Sequence, residues 1–310
     1  RFGVSEDEFH EYCRKKAASW PGSMNATSTH DTKRGEDTRA RINVISEFPE
    51  EWERRIRKWR KLNSKISAGI DGNDEYFYYQ TLAGTMPQDE AGARDYRQRI
   101  KDYIIKAVRE AKVHTEWIKP DEKYESSFMS FVDRTLDEKG LNVFLDDIKA
   151  FSAMLAHYGA FNSLGRLIIK ASAPGIPDFY QGSELWDLSL VDPDNRRSVD
   201  FEGRFELLRE IAENEPEIRK AASELLAKKD DGRIKMFLTY RLLTARKENR
   251  ELFSRGAYLP LAAEGPKKDN LICFARRLEE KWAVTAVPRF ISLLCGIDEL
   301  PLSEKIWKDT

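Results

Sequence analysis

Histidine, cysteine and methionine are scarce in this chain of 310 residues, which has four, three and five of them. Cys13, Cys273 and Cys295 are odd in number, far apart and without metal-ligand spacing, which argues against a disulfide framework or a metal centre and for a reducing compartment. No stretch of about 18 apolar residues is present, and no charged-then-apolar leader pattern opens the chain. A cytoplasmic location and no membrane partner are the expectation. An excess of one charge is also lacking: 52 Lys and Arg stand against 53 Asp and Glu, for a formal net charge of -1, so no nucleic-acid partner is expected. Internal repeats, low-complexity tracts and long heptad runs are absent.

What the chain has in quantity is helix. Ser5 followed by Glu6, Asp7 and Glu8, then Phe9, Tyr12, Cys13 and Lys16, reads as a capped helix over 5–18. Pro21-Gly22 break it, and MNATST leads to His30 as a short strand would. Behind Gly35, Glu36 and Asp37 precede Ile42, Ile45 and Phe48, an amphipathic helix; Pro49 then starts another, with Trp52, Ile56, Trp59 and Leu62 on one stripe. Those tryptophans are expected in a core rather than as sugar platforms. Further helices are expected from Tyr96 to Ala111, from about Asn142 to Tyr158, over 160–172, within 202–229 (with Phe205, Leu208 and Ile211, and later Leu225 and Leu226, as the apolar residues) and from Lys235 to Lys247, with a loop at HTEWIKPDEKYESSF and a surface position for His114. NLICFARRL and KWAVTAVP alternate like antiparallel strands.

The polar punctuation between these elements carries the chemistry. Thr27 to Ile42 places His30, Asp31, Lys33 and Arg34 beside a strand-to-helix switch, and a later segment presents Tyr180, Gln181 and Glu184. Barrels of alternating strands and helices build sites in this way, from the C-terminal ends of strands. A second polar cluster, Asp192, Asp194, Asn195, Arg196 and Arg197, follows at once. Carboxylate, imidazole and guanidinium groups near aromatic faces suit a neutral polyhydroxyl ligand. An ion-pair network closing a helix N-terminus, and a solvated loop at the second cluster, are the plainer alternatives.

STHDTKRGEDTRARI and PGIPDFYQGSELWDLSLVDPDNRRSVDF resemble the trehalose-forming branch of the α-amylase family of glycoside hydrolases. The resemblance implies an α+β, predominantly helical chain. It would hold the last two βα units of a (β/α)8 barrel, a large helical insertion and the start of a small antiparallel β domain. The corresponding boundaries are 1–63, 64–165, 166–232 and 233–310. A βα unit takes about 30–40 residues, and Asp31 and Phe179 are much further apart than that, as an insertion requires.

The same resemblance implies an enzyme that turns the reducing-end α-1,4 linkage of a maltooligosaccharide into α-1,1 by intramolecular transglycosylation with retention. Asp31 matches the carboxylate that stabilises the transition state. His30, Lys33, Arg34, Tyr180, Gln181, Asp192 and Arg196 match sugar-binding positions, with Lys33 as the grip on the freed glucose. No cofactor or metal is implied. Ser198 stands where the family usually has proline after the paired arginines, and no segment resembles the family's strands that carry the nucleophile and the general acid.

Those strands are therefore expected before Arg1, and the chain, which also ends on EKIWKDT without a closing element, is expected to be a fragment. Its partners would be a maltooligosaccharide and the missing N-terminal part of the same enzyme. Self-association through exposed strand edges is a further expectation, and the isolated chain is expected to be inactive. The rival readings are another amylase-like glucanotransferase or α-glucosidase, and a non-catalytic helical interaction module.

Overall fold

The computed structural model describes residues 3–88, 93, 95–194, 196–213 and 218–310; Asn195 of the second polar cluster lies outside them. The chain divides into two compact units. One comprises Arg1–Thr29, Ala160–Asp187 and Val199–Thr310; the other comprises His30–Gly159 and Leu188–Ser198.

In the first unit the helix Glu6–Ser19 begins as the sequence predicts. Ser5 accepts from the Glu8 backbone N–H, and the Glu8 carboxylate accepts from the Ser5 N–H at 2.9 Å, a reciprocal capping box. Its Phe9, Cys13 and Ala17 pack with Ile169, Ala173, Tyr258, Ile272 and Phe274 into one apolar cluster. Within it, buried His10 shares a 2.7 Å hydrogen bond between its Nδ1 and the Tyr258 hydroxyl. A three-stranded antiparallel sheet supplies Tyr258 and Phe274: Ala257–Leu261 (β3), Leu271–Leu278 (β4) and Lys281–Pro288 (β5), in the order β3-β4-β5. The period-two pattern thus predicts both β4 and β5. The three cysteines are buried and form no disulfide.

Met24–Asn25 (β1) and Ile176–Pro177 (β2) pair in parallel, Met24 with Ile176 and Asn25 with Pro177. The strand expected through MNATST is therefore only two residues long, and His30 and Asp31 lie in a turn well beyond it. Side chains take over where the ladder stops: Lys170 Nζ donates to Thr27 Oγ1 at 2.9 Å, and Ser28 Oγ donates to Asp187 Oδ2 at 3.3 Å. Gly175 makes the turn into β2. Its φ is +114°, and a Cβ there would lie 2.7 Å from the Ser23 carbonyl oxygen and from Asn25 Oδ1. Gly175→Ala is expected to cost about 1–3 kcal/mol, the usual cost of a residue held in a sparsely populated backbone region. A urea midpoint unchanged from the wild type would show that the turn relaxes freely.

The second unit is built on aromatic packing between helices. Trp52 and Trp59 of Pro49–Asn63 are buried, and Trp59 meets Trp52, Tyr79, Phe144 and Phe151 with ring centroids 5.6–6.0 Å apart. The tryptophans are core, as their spacing predicts. Tyr78 and Tyr79 of Gly72–Thr85 are fully buried and keep their hydroxyls satisfied, Tyr78 with Thr135 at 2.6 Å and Tyr79 with Glu75 at 2.7 Å.

Three expectations need correction. The two helices expected at 142–158 and 160–172 are one continuous helix, Val143–Ser172. Gly159 does not break it; it is where Arg41 crosses, since a Cβ there would sit 2.9 Å from Arg41 Cα. The expected loop around Pro120 is only half a loop, because Asp121 caps a helix Glu122–Thr135 by accepting from the Tyr124 N–H at 2.9 Å. His114 ahead of it is exposed and stacks on Tyr124 at 4.7 Å. Finally, Phe205 of the helix Phe201–Glu213 is not in an apolar stripe; it is 71% exposed.

Candidate active site

The two motif segments meet in the second unit. The Gly35 N–H donates to the Ser189 carbonyl at 2.7 Å, the Val191 N–H donates to the Lys33 carbonyl at 3.2 Å, and Arg34 and Leu190 form an antiparallel bridge. This short pairing places Asp192 and Arg196 on the chain that runs beside Lys33. The helix Glu36–Val44 starts directly behind it, with Gly35 as its cap and Glu36 and Asp37 buried in its first turn.

His30 and Asp31 sit in the turn ahead of the bridge, His30 Nε2 3.3 Å from Asp31 Oδ2. Both side chains are about four-fifths exposed, at 79% and 82%. Arg34 is held differently: Nη1 donates to Gln80 Oε1 at 2.7 Å and Nη2 to Thr81 Oγ1 at 2.8 Å, and its guanidinium lies 5.0 Å from the Phe77 ring centre. Gln80, Thr81 and Phe77 all belong to the helix Gly72–Thr85.

Lys33 and Asp192 are tied together through the helix Tyr96–Ala111. Lys33 Nζ donates to Glu110 Oε2 at 2.9 Å. Lys106, one turn earlier, lies 2.8 Å from Glu110 Oε1 and 2.5 Å from Asp192 Oδ2. Arg196 Nη2 reaches Asp192 Oδ1 at 3.3 Å. The bond from Lys106, and then that from Lys33, holds the Glu110 carboxyl below its ordinary range. The bond from Lys106 does the same for Asp192, and both carboxylates push the Lys106 ammonium up, Asp192 the more strongly. All three groups are therefore charged near neutral pH.

A cavity of about 470 Å³ opens here, lined among others by Lys33, Arg34, Phe77, Tyr103, Lys106 and Glu110. Its volume falls in the range of small-ligand sites. Phe77 and Tyr103 stack at 5.8 Å, which puts an aromatic wall beside charged donors and acceptors. Another cavity of about 490 Å³, between the helices Phe201–Glu213 and Ile218–Ala227, contains none of the motif residues.

The second polar cluster is solvated only in part: Arg196 and Arg197 are 79% and 53% exposed, whereas Asp194 is buried. Asp194, with only 6% of its side chain exposed, takes a bidentate pair from Arg99, Nε at 2.7 Å and Nη2 at 2.6 Å, and also accepts from the Leu190 N–H at 2.9 Å. Tyr180 and Gln181 belong to the first unit. Tyr180 is half-buried, and its carbonyl accepts from the Ser183 N–H and hydroxyl in a tight turn; Gln181 is exposed. Glu184 there pairs with Arg204 at 3.2 Å. Among the described residues, no cluster of His, Cys, Asp and Glu is placed to hold a metal ion, and no helix is long and apolar enough to cross a membrane.

Sequence reading missed Lys106, Glu110, Phe77, Gln80 and Tyr103. Lys106 and Glu110, four apart on a helix, look like an ordinary surface ion pair. Nothing local marks them as neighbours of Lys33.

No family model matches the chain. A Mycobacterium tuberculosis protein provisionally named a maltooligosyl trehalose synthase is 36% identical over 313 aligned positions, covering 100% of this chain and 37% of that protein. Among solved structures, a crystal structure of a maltooligosyl trehalose synthase matches with a TM-score of 0.74 and 38% identity, over 88% of this chain and 35% of the other. The maltooligosyltrehalose synthase of Arthrobacter ramosus matches with a TM-score of 0.72 and 33% identity, over 94% of this chain and 35% of the other. The chain therefore spans 37% of the length of the curated relative that it matches.

Proposed function

We propose, for a chain related along its whole length to maltooligosyl trehalose synthases, that it carries part of the active site of an enzyme converting the reducing-end α-1,4 linkage of a maltooligosaccharide to α-1,1. The observation that carries this reading is the Arg34–Leu190 bridge, which sets Lys33 and Asp192 against one turn of a single helix beside a sugar-sized cavity. The parallel pairing of β1 with β2 supports a derivation from neighbouring barrel strands.

In the proposed reaction a carboxylate nucleophile attacks the anomeric carbon of the penultimate glucose. The bond from that carbon to O4 of the terminal glucose breaks, a general acid protonates O4, and a glycosyl ester forms with retention to follow. The freed glucose turns, its anomeric hydroxyl attacks the same carbon and gives its proton to the residue that acted as acid, and the ester carboxylate leaves. No water enters. The nucleophile and the acid match no segment of this chain and are assigned to other parts of the full-length protein.

Asp31 is assigned to stabilise the positively charged, oxocarbenium-like transition state. His30 holds a hydroxyl of the same sugar, since a neutral imidazole both donates and accepts. Lys33 grips the freed glucose, with Arg34 behind it; Asp192 and Arg196 serve the non-reducing side. Tyr180 and Gln181 keep the sugar-contact role that the sequence resemblance implies.

Product analysis of the full-length protein on maltopentaose tests the reading. A non-reducing trehalosyl end is expected, with free sugars or longer chains pointing instead to a hydrolase or a glucanotransferase, and the isolated chain is expected to leave reducing ends unchanged. Lys33→Ala is expected to raise glucose release relative to the trehalosyl product by about tenfold, as for one lost charge-assisted contact. An unchanged partition would remove Lys33 from the acceptor site.

A further inference from the structure

We propose that Glu110 and Lys106 are positioning residues for the sugar transfer. One turn of the helix Tyr96–Ala111 would set Lys33 and Asp192 in register and thereby bias the reaction toward transfer over hydrolysis. The proposal rests on the reading above that Lys33 grips the freed glucose.

The argument starts from what Lys33 could do alone. Its side chain is 60% exposed, and a four-carbon stem in solvent samples many rotamers, so an ammonium that must hold one glucose loses much of its grip to side-chain entropy. The 2.9 Å bond to Glu110 Oε2 removes that freedom before any ligand arrives. It uses one of three N–H donors and leaves two for sugar hydroxyls. Glu110 spends its other oxygen on Lys106, at 2.8 Å, so the carboxylate is itself fixed at both ends.

Lys106 is the hinge of the arrangement. Its side chain is only 15% exposed, and it bridges Glu110 to Asp192. Signs alternate along the row Lys33, Glu110, Lys106, Asp192, Arg196, so each group is held by neighbours of opposite charge. Because Glu110 and Lys106 are four residues apart on a regular helix, the spacing between the two sugar-binding side chains is set by helix pitch rather than by loop conformation. A freed glucose that must turn in place without escaping needs its grip pre-set relative to the side chain that holds the sugar on the non-reducing side, since misplacement by about 1 Å can cost 10²-fold in rate.

Glu110→Gln, Lys106→Met, Lys33→Ala and the Lys33→Ala/Glu110→Gln double variant, made in the full-length protein and assayed on maltopentaose, test this. Glu110→Gln is expected to raise the ratio of glucose to trehalosyl product by about three- to tenfold, the size of coupling within one ion-pair network, with KM within about twofold. Lys106→Met, which touches both partners, is expected to shift the ratio and to raise KM. In the double variant, Glu110→Gln should add nothing to Lys33→Ala. A simple structural role would lower the unfolding temperature of Glu110→Gln without moving the product ratio. A wild-type ratio in Glu110→Gln, or full additivity in the double variant, would overturn the proposal while leaving the role of Lys33 intact. A wild-type ratio in Lys33→Ala would sink both.

Discussion

Asp31→Asn, made in the full-length protein, is expected to lower kcat on maltopentaose by about 10²–10³-fold, the range for losing one pre-organised electrostatic partner of a transition state. The substitution keeps the shape and removes the charge. An amide still accepts a hydrogen bond from a sugar hydroxyl, so ground-state binding suffers less than the charged, flattened ring of the transition state, and kcat should fall more than KM rises. Stability should hardly change. The Asp31 side chain is 82% exposed, and its His30 contact at 3.3 Å is a surface pair, a kind that contributes about 0–1 kcal/mol. The measurement is therefore paired: steady-state rates beside a urea unfolding curve. A kcat within threefold of the wild type would remove Asp31 from the catalytic set. Loss of activity matched by a large drop in unfolding midpoint would make it a structural residue instead.

Trp59→Ala should destabilise this chain by about 3–5 kcal/mol, the range for deleting a buried indole. Trp59 is fully buried and sits among four other aromatic rings. It also donates to Asp147 Oδ2 at 2.7 Å. Alanine would therefore leave both a cavity and a weakened anchor for a carboxylate that also takes Arg55 at 2.9 Å and Lys58 at 2.6 Å. Trp59→Phe separates the two effects. It keeps one ring of the packing and removes the donor, so its cost should be at least the roughly 1.5–3 kcal/mol of a hydrogen bond to a charged group and still below that of alanine. Urea titrations of the two variants read the difference. A loss below about 1 kcal/mol for the alanine variant would show that the aromatic cluster repacks.

Much of this was legible along the chain because it is local. The Ser5 cap, the Trp52–Trp59 stripe and the two antiparallel strands β4 and β5 follow from side chains a few residues apart, and the structure bears each of them out. The resemblance carried by the two long motifs agrees with 36% identity over the whole chain. Local rules failed where a distant contact decides. The helices expected at 142–158 and 160–172 are one, and Gly159 between them is where Arg41 crosses. Phe205 counts among the apolar residues of its helix, yet helix period alone does not say which face a neighbour covers, and it is exposed.

The sequence by itself determined the residue types of the candidate site, the helical character of most of the chain and the family to compare it with, since these depend on composition, period and motif. Which of the candidate residues stand together was decided only by tertiary structure. Lys33 and Asp192 lie far apart in sequence and become neighbours through one antiparallel bridge and one turn of the helix Tyr96–Ala111. Glu110 and Lys106 join them because ion pairing is set by distance in space, and a four-residue spacing on a helix looks the same whether it faces water or a binding cavity.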